Sequence, residues 1–188
     1  MVDEYGISKS ITMEQPAKLE SFERTMLPHL NAAFNLARWL TRNQQDAEDI
    51  VQESYLRAYR FFDGFKGGDG KGWLLAVVRN TFLTWAKSEK GDKQMVAFDE
   101  AVHDGGQEEP NAETRLVRNA GVGSLRECVE ALHSEYREVL VMRELEDMSY
   151  REISEAAAIP LGTVMSRLSR ARKLLANCVR VRAQGASK

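Results

Sequence analysis

Apolar residues recur at helical spacing along nearly the whole chain, and no stretch alternates apolar and polar positions for long enough to predict a strand. One predicted helix begins near Phe34. A second spans about residues 46–62, and its apolar face carries Ala47, Ile50, Val51, Ala58, Phe61 and Phe62. The segment 62–72 contains five glycines, which interrupt helix formation, and residues 73–88 then form a strongly apolar helix. The pattern predicts an all-α fold.

A long segment without periodicity separates two helical regions. Residues 91–118 contain seven acidic and three basic residues, together with several glycines and a proline. A segment of about thirty residues without structure is unusual inside a compact domain, so we interpret it as a linker. The predicted organisation is a flexible N-terminus (1–19), a first domain (20–90), a flexible acidic linker (91–120), a second domain (121–182) and a tail (183–188).

The second domain shows the start and stop signals of four short helices. Ser124 and Glu127 match a capping box, and so do Ser149 and Glu152, while Ser134 is a candidate N-cap for the helix between them. Pro160 ends the third helix, because the residue before a proline is disfavoured in the α region. A tight turn then leads into the last helix. Four short helices with a tight turn before the last one predict a helix-turn-helix domain.

The last helix is strongly basic, although the 188-residue chain has a formal net charge of −2. Residues 160–182 contain six Lys or Arg residues and no acidic residue. An inward stripe at helical spacing is formed by Val164, Leu168, Ala171 and Leu175. The other side carries Met165, Ser166, Ser169, Arg170 and Lys173. Solvated surface helices usually mix charge signs, so this face favours nucleic-acid binding, with the helix in the major groove.

Contacts with DNA follow from the residue types on this helix. Thr163 and Ser166 lie near its N-terminal end, where hydroxyl groups and free N–H groups favour a phosphate. Arg170 is able to reach either guanine O6 and N7 or a phosphate. In the first domain, the helix after the glycines mixes aromatic and basic residues, which suits stacking on unpaired bases. Taken alone, Trp73 and Phe82 in this helix are better explained as core residues.

Several function classes are excluded by what the sequence lacks. The three histidines are scattered, no nucleophile motif or metal cluster is present, and the glycine-rich loop follows no predicted strand. We therefore expect no enzymatic activity, no cofactor and no metal. The chain contains no run of about 20 apolar residues, which predicts no membrane insertion. Cys128 and Cys178 are expected to be two reduced thiols in a cytoplasmic protein.

Three segments in this order resemble a known family. "DAEDIVQESYLRAYRFF" is followed by "WLLAVVRN" and, after the linker, by "MSYREISEAAAIPLGTVMSRLSRARKLL". From about residue 20 to 180 the chain resembles the extracytoplasmic-function (ECF, group IV) sigma factors of bacterial RNA polymerase, which belong to the sigma-70 family. The resemblance implies that the first domain is sigma region 2 and the second is sigma region 4. The function it implies is an alternative sigma factor that directs promoter-specific transcription initiation.

The resemblance also implies binding partners and residue roles. The partners are core RNA polymerase, through its β′ clamp helices and β flap, promoter DNA and, for many relatives, an anti-sigma factor. The implied polymerase-binding residues are Asp46, Asp49, Gln52 and Glu53. The implied −10 element residues, beside a loop (63–72) that captures a flipped base, are Lys71, Trp73, Arg79 and Asn80. The implied −35 element residues are Thr163, Met165, Ser166, Arg167, Ser169, Arg170 and Lys173.

Two departures from the family pattern affect these roles. Met165 stands where the family often has Lys or Arg, and the segment after Asn80 has Thr84, Lys87 and Lys90 in place of an Asp and a run of arginines. We therefore expect fewer phosphate contacts at both promoter elements. Two alternative functions stay open: a sigma-mimicking decoy that binds an anti-sigma factor, and a free-standing helix-turn-helix repressor. The basic helix argues against the decoy, which would not need it.

Overall fold

The computed structural model describes residues 9–93 and 125–185, and all regular structure in these two ranges is helical, as predicted. The first half contains α1 (Lys9–Met26), a 3-10 turn (Leu27–His29), α2 (Leu30–Thr41), α3 (Gln44–Phe61), a second 3-10 turn (Phe62–Gly64) and α4 (Gly70–Lys93). The second half contains α5 (residues 125–130), α6 (Ser134–Glu144), α7 (Tyr150–Ala157) and α8 (Leu161–Gly185). None of these described helices is long and apolar enough to cross a membrane.

Helix α1 begins inside the segment that was expected to be a flexible N-terminus, and its C-terminal end belongs to the core. Phe22 and Met26 are buried. The Phe22 ring packs edge-on against Tyr55, Tyr59 and Phe62. The Tyr55 hydroxyl donates a hydrogen bond of 2.9 Å to the Met26 carbonyl oxygen, and burial raises the pKa of Tyr55 to about 12. These contacts join α1 to α3.

The start and end of α3 follow from local chemistry. The Asn43 side chain caps the helix by accepting hydrogen bonds from two backbone N–H groups of the first turn. The predicted apolar face is buried at Ala47, Ile50, Val51 and Ala58 and partly buried at Phe62, but Phe61 is 68% exposed, so the prediction for Phe61 was wrong. The helix ends there, and the following 3-10 turn directs Phe62 instead toward Phe22 and Phe65. The glycines at 67 and 68 have positive φ angles, which bend the chain toward α4.

The helix-turn-helix prediction is confirmed by the second half. Ser149 forms a capping box with Glu152, α7 ends at Ala157, and α8 begins directly after Pro160. The inward stripe of α8 is buried at Val164, Leu168 and Ala171. The capping role predicted for Ser134 was wrong, because this residue is the first of α6 and the preceding His133 is the N-cap. The prediction for Ser124 and most of the predicted linker (94–120) lie outside the described residues.

The two cysteines form a disulfide, so the expectation of two reduced thiols was wrong for this structure. The bond joins α5 to the C-terminal part of α8 across 50 residues of sequence. Only the packing of these two helices brings the cysteines together, and their spacing in the sequence carries no such signal. An ion pair between Arg182 and Glu127 joins the same two helices.

The two halves pack against each other. α2 contacts α6, and α4 contacts α7. The main buried cluster contains residues of both halves, from Phe22 and Leu74 in the first to Met142 and Ile153 in the second. A smaller cluster under α8 contains Val129, Leu132, Leu140 and Ala171. In this arrangement the predicted first and second domains share a continuous apolar interface.

Candidate nucleic-acid interface

The outer face of α8 is open to solvent and basic. Its five residues Met165, Ser166, Ser169, Arg170 and Lys173 are exposed, and no acidic residue occurs between residues 161 and 185. Met165 is 53% exposed, so this large apolar side chain is available to a partner. Because the inward stripe of the same helix is buried, α8 is held at a fixed rotation, with this face directed away from the domain.

The other two predicted −35 residues, Thr163 and Arg167, make contacts within the second half itself. Thr163 is half-buried, and its carbonyl oxygen accepts a hydrogen bond of 3.0 Å from the Ser166 hydroxyl. The Arg167 guanidinium lies 2.8 Å from a Glu135 carboxylate oxygen, and its side chain is only 23% exposed. Arg167 therefore links α8 to α6, while Arg170 has a free path to solvent.

The predicted polymerase-binding residues share one side of α3. Asp49 and Gln52 are exposed and Asp46 is half-buried, while the Glu53 carboxylate lies 2.6 Å from the Arg57 Nε atom. Leu56, one turn further along the helix, is 57% exposed and was not singled out from the sequence. The sequence did contain a signal for it, because Leu56 is an apolar residue outside the buried stripe of α3. The side that results is polar and acidic, with an apolar side chain at its edge.

The glycine-rich loop and the start of α4 surround a cavity of about 360 Å³. Trp73 lines it and packs against Phe65 at a ring-centroid distance of 5.3 Å, so this tryptophan belongs to both the core edge and the cavity wall. Asn80 is exposed further along α4. The opposite wall of the cavity comes from α7 and includes Glu152 and Glu155.

The two predicted −10 cations on α4 point into the interface between the two halves. The Lys71 ammonium donates a hydrogen bond to the Glu146 carbonyl oxygen and lies 3.4 Å from a carboxylate oxygen of the same residue. The Arg79 Nε atom lies 2.5 Å from a Glu138 carboxylate oxygen, with side-chain exposures of 13% and 7%. Burial raises the pKa of Glu138, and the neighbouring Arg79 opposes this rise.

Sequence reasoning missed three charged residues of this interface: Arg137, Glu138 and Glu146. Arg137 is 2% exposed and donates hydrogen bonds to the carbonyl oxygens of Glu130 and Leu132, and at 3.5 Å to that of Leu40 in α2. Burial lowers the pKa of Arg137 to about 10. Charged residues are usually solvated, so the sequence of α6 and the turn after it contains no signal that these three are buried.

The chain matches two family models, "Sigma-70 region 2" over residues 26–91 and "Sigma-70, region 4" over residues 123–175. The chain therefore belongs to the sigma-70 family. Its curated relatives place it in the ECF group. It is 30% identical to "ECF RNA polymerase sigma-E factor" of Haemophilus influenzae, with 76% of this chain and 78% of that protein covered. The corresponding protein of Escherichia coli is 32% identical, with 71% and 74% covered.

This chain is also similar to a longer relative and to a sigma factor of known structure. "ECF RNA polymerase sigma factor SigE" of Mycolicibacterium smegmatis is 32% identical over 85% of this chain, but the chain spans only 62% of that protein's length. The sigma factor RpoE of Bartonella quintana, solved in complex with the anti-sigma factor NepR, has a TM-score of 0.71 and 24% identity, with 86% of this chain and 98% of that chain covered. The family assignment identifies the chain as an alternative sigma factor.

Proposed function

We propose that the outer face of α8 reads the −35 element of a promoter while α4 and the preceding loop bind the −10 element, with core RNA polymerase holding the two domains in register. The observation that carries this proposal is the open, acid-free face of α8 on the second helix of a helix-turn-helix unit. Such a helix occupies the major groove, where exposed cations contact guanine or phosphate.

Each predicted −35 residue of α8 has a role that suits its chemistry. Arg170 contacts a guanine edge or the adjacent phosphate, and Lys173 contacts phosphate. The Ser169 hydroxyl donates to phosphate or to a base edge, and the Ser166 hydroxyl does so once it releases the Thr163 carbonyl oxygen at the N-terminal end of the helix. Met165 contacts a thymine methyl group, because an apolar side chain gains most from the one apolar group in the major groove. Arg167 supports the helix through Glu135 and reaches the DNA backbone only if that pair breaks.

In the first domain the proposed roles divide between two surfaces. The side of α3 that carries Asp46, Asp49, Gln52 and Glu53 binds the β′ clamp helices of the polymerase. The cavity beside Trp73 receives an unpaired base of the −10 element, and Asn80 reads the neighbouring base. Lys71 and Arg79 contact the DNA backbone there once they leave the interface with the second half. The second domain also contacts the β flap of the polymerase. The protein acts in the cytoplasm. There an anti-sigma factor holds it inactive, as it does many members of this family.

Promoter binding in this mode requires the two halves to separate. Two DNA sites more than one helical turn apart lie upwards of about 35 Å from each other. In this structure α4 and α7 are in direct contact, so binding both elements in this mode requires these two helices to move apart. A linker of about 30 residues has a root-mean-square span of roughly 30 Å, which allows the separation but does not define it.

Run-off transcription with core polymerase on a panel of promoter templates tests this function. We expect a product that depends on this chain and that is lost on templates with a scrambled −35 element. Arg170→Ala should weaken the product, and Arg24→Ala, at an exposed arginine of α1 far from α8 in sequence, should not. A decoy that binds an anti-sigma factor would give no product with any template. A free-standing repressor would bind DNA without polymerase and give no product either.

A further inference from the structure

We propose that a second cavity, between α2 and the second half, binds a small amphipathic anion, with a carboxylate or phosphate head group at Arg38 and an apolar chain in the space beside it. The cavity has a volume of about 400 Å³, within the range of about 300–1,000 Å³ for pockets that bind small molecules. It shares no lining residue with the cavity beside Trp73. The inference goes beyond the proposed promoter binding and does not depend on it.

The walls of this cavity come from both halves and are mostly apolar. The first half contributes Arg38 and Trp39 of α2, and the second half contributes residues of α5, α6 and α8. Seven of the ten lining residues are apolar, namely Trp39, Leu125, Val129, Leu140, Val141, Leu145 and Leu175. Leu125 and Leu145 are 45% and 50% exposed, so part of the wall is open to water in the free chain. An apolar chain that enters this space leaves water, which favours binding in proportion to the area buried.

The wall formed by α5 is held in place by contacts outside the cavity. This helix spans only residues 125–130, which is too short to be stable by itself. The disulfide between Cys128 and Cys178 and the ion pair between Glu127 and Arg182 attach it to α8. These contacts position the wall before a ligand arrives. A preformed pocket binds its ligand more tightly, because less conformational freedom is lost on binding.

Arg38 is the cation that receives the head group in this proposal. Its side chain is half-buried and forms no ion pair or hydrogen bond with any residue in the ranges 9–93 and 125–185. Burial lowers the pKa of Arg38, and the like charge of Arg126 lowers it further, while Glu130 opposes the change. A half-buried guanidinium without a partner gains from an anion, which it is able to bind through two parallel hydrogen bonds.

The carboxylates near this cavity already have other partners. Glu130 accepts a hydrogen bond of 3.0 Å from the Arg126 Nε atom, and Glu144, which lines the cavity, accepts one of 2.7 Å from Arg172. Neither carboxylate forms an ion pair with Arg38. An incoming anion therefore does not have to displace a side chain from Arg38.

Positive charge near the cavity extends beyond its lining residues. Arg137 is 2% exposed, and its Nε atom has no hydrogen-bond partner in the part of the chain that the structure describes. Burial lowers the pKa of Arg137 to about 10, and the like charge of Arg42 acts in the same direction. Glu130 is the carboxylate that offsets the charge of both Arg38 and Arg137. The excess of positive charge favours an anion over a neutral or cationic ligand.

Calorimetric titration of the full chain with decanoate, below its micelle-forming concentration, tests the proposal. We expect saturable binding of one decanoate per chain. Acetate has the same head group without the chain, and decyltrimethylammonium has the same chain with a cationic head group. Neither should bind saturably at the same concentrations. Decyl phosphate, titrated in parallel, shows which of the two anionic head groups is preferred.

Two pairs of variants locate the site. Arg38→Gln removes the charge and should weaken decanoate binding at least about tenfold, whereas Arg24→Gln, at an exposed arginine of α1 outside the lining, should leave it unchanged. Leu125→Trp fills the space with an indole ring and should abolish binding. The matched control is Leu174→Trp, at an equally exposed leucine of α8 outside the lining, which should bind decanoate as the wild type does.

Thermal unfolding gives a second readout. The walls from both halves come together only in the folded chain, so decanoate should raise the unfolding midpoint of the wild type with increasing concentration and leave that of Arg38→Gln and Leu125→Trp nearly unchanged. The proposal is overturned if decanoate does not bind saturably, if decyltrimethylammonium binds equally well, or if Leu125→Trp and Leu174→Trp bind decanoate with the same affinity. Run-off transcription reports separately on the proposed function, since none of these measurements uses promoter DNA or polymerase.

Discussion

The two surfaces proposed to contact promoter DNA differ in how the protein presents them. On α8 Arg170 and Lys173 face solvent, and their helix is fixed by its own buried stripe. On α4 the basic residues Lys71 and Arg79 face the other half of the molecule and are paired with its carboxylates. The first surface is ready to bind, and the second becomes available only when the halves separate. Local charge in the sequence is thus a poor guide to which surface is free.

The difference has a physical origin in where each helix buries its apolar residues. The stripe of α8 packs inside its own domain, mainly through Val164, Leu168 and Ala171. Helix α4 has apolar residues on more than one side, and it packs both against α2 and α3 and against α7 of the other half. The basic residues between these apolar positions are consequently enclosed. Four predictions test the fixed surface on α8, from the largest expected effect to the smallest.

The disulfide should contribute most to the stability of the α8 surface. A bond that closes a loop of 50 residues is expected to add up to about 4 kcal/mol to the free energy of unfolding by restricting the unfolded chain. Cys128→Ser with Cys178→Ser should lower this free energy in urea titrations. A reductant should have the same effect on the wild type and none on the double variant. Equal stability of the oxidised and reduced wild type would show that the bond contributes nothing. Disulfides are rare in a reducing cytoplasm, so the free energy of unfolding is measured for both the oxidised and the reduced protein.

Shortening one side chain in the buried stripe of α8 should weaken the packing of this helix against its domain. Leu168 is 1% exposed, and Leu168→Ala is expected to cost about 3 kcal/mol through lost burial and the cavity left behind. Leu174 on the same helix is 48% exposed, so Leu174→Ala should change stability by less than about 0.5 kcal/mol. Thermal unfolding followed by circular dichroism checks both. Similar losses for the two leucines would mean that α8 is not oriented as described.

Loss of the central cation should weaken −35 recognition without affecting the fold. Arg170→Ala is expected to cost about 2 kcal/mol in promoter binding by the holoenzyme if the guanidinium contacts a guanine edge. The loss should vanish on a template that lacks the preferred base. A loss that is uniform over all templates, with a reduced salt dependence, would instead assign Arg170 to a phosphate. Gel-shift titrations on matched templates separate the two outcomes.

Substitution of Met165 should give the smallest effect, and it should change the base preference in the −35 element more than the overall affinity for DNA. We expect Met165→Arg to change the relative affinity for thymine and guanine at one −35 position by about 1 kcal/mol, because it exchanges an apolar contact for a cation. Promoter selection from a randomised −35 library provides the measurement. If the variant selects the same sequences with the same affinity as the wild type, Met165 is a surface residue without a role in recognition.

The helices and the inward stripe of α8 could be predicted because both depend on local periodicity. The capping box at Ser149 and the stop at Pro160 are likewise local signals. The buried ion pairs could not be predicted, because Arg79 and Glu138 are ordinary surface residues in their own helices and become buried only when the halves pack. The disulfide depends on the same kind of long-range information. The exposure of Phe61 reflects the exact residue at which α3 ends, which periodicity does not specify.

The most direct test of this account is the distance between the two domains in the free chain and in the promoter-bound holoenzyme. Fluorophores attached through unnatural amino acids at the exposed positions Glu20 on α1 and Arg151 on α7 report it by energy transfer, since both helices contact α4 in the free chain. We predict high transfer in the free chain and a loss of transfer on promoter binding, as the domains move toward sites upwards of about 35 Å apart. Equal transfer in the two states would contradict the account.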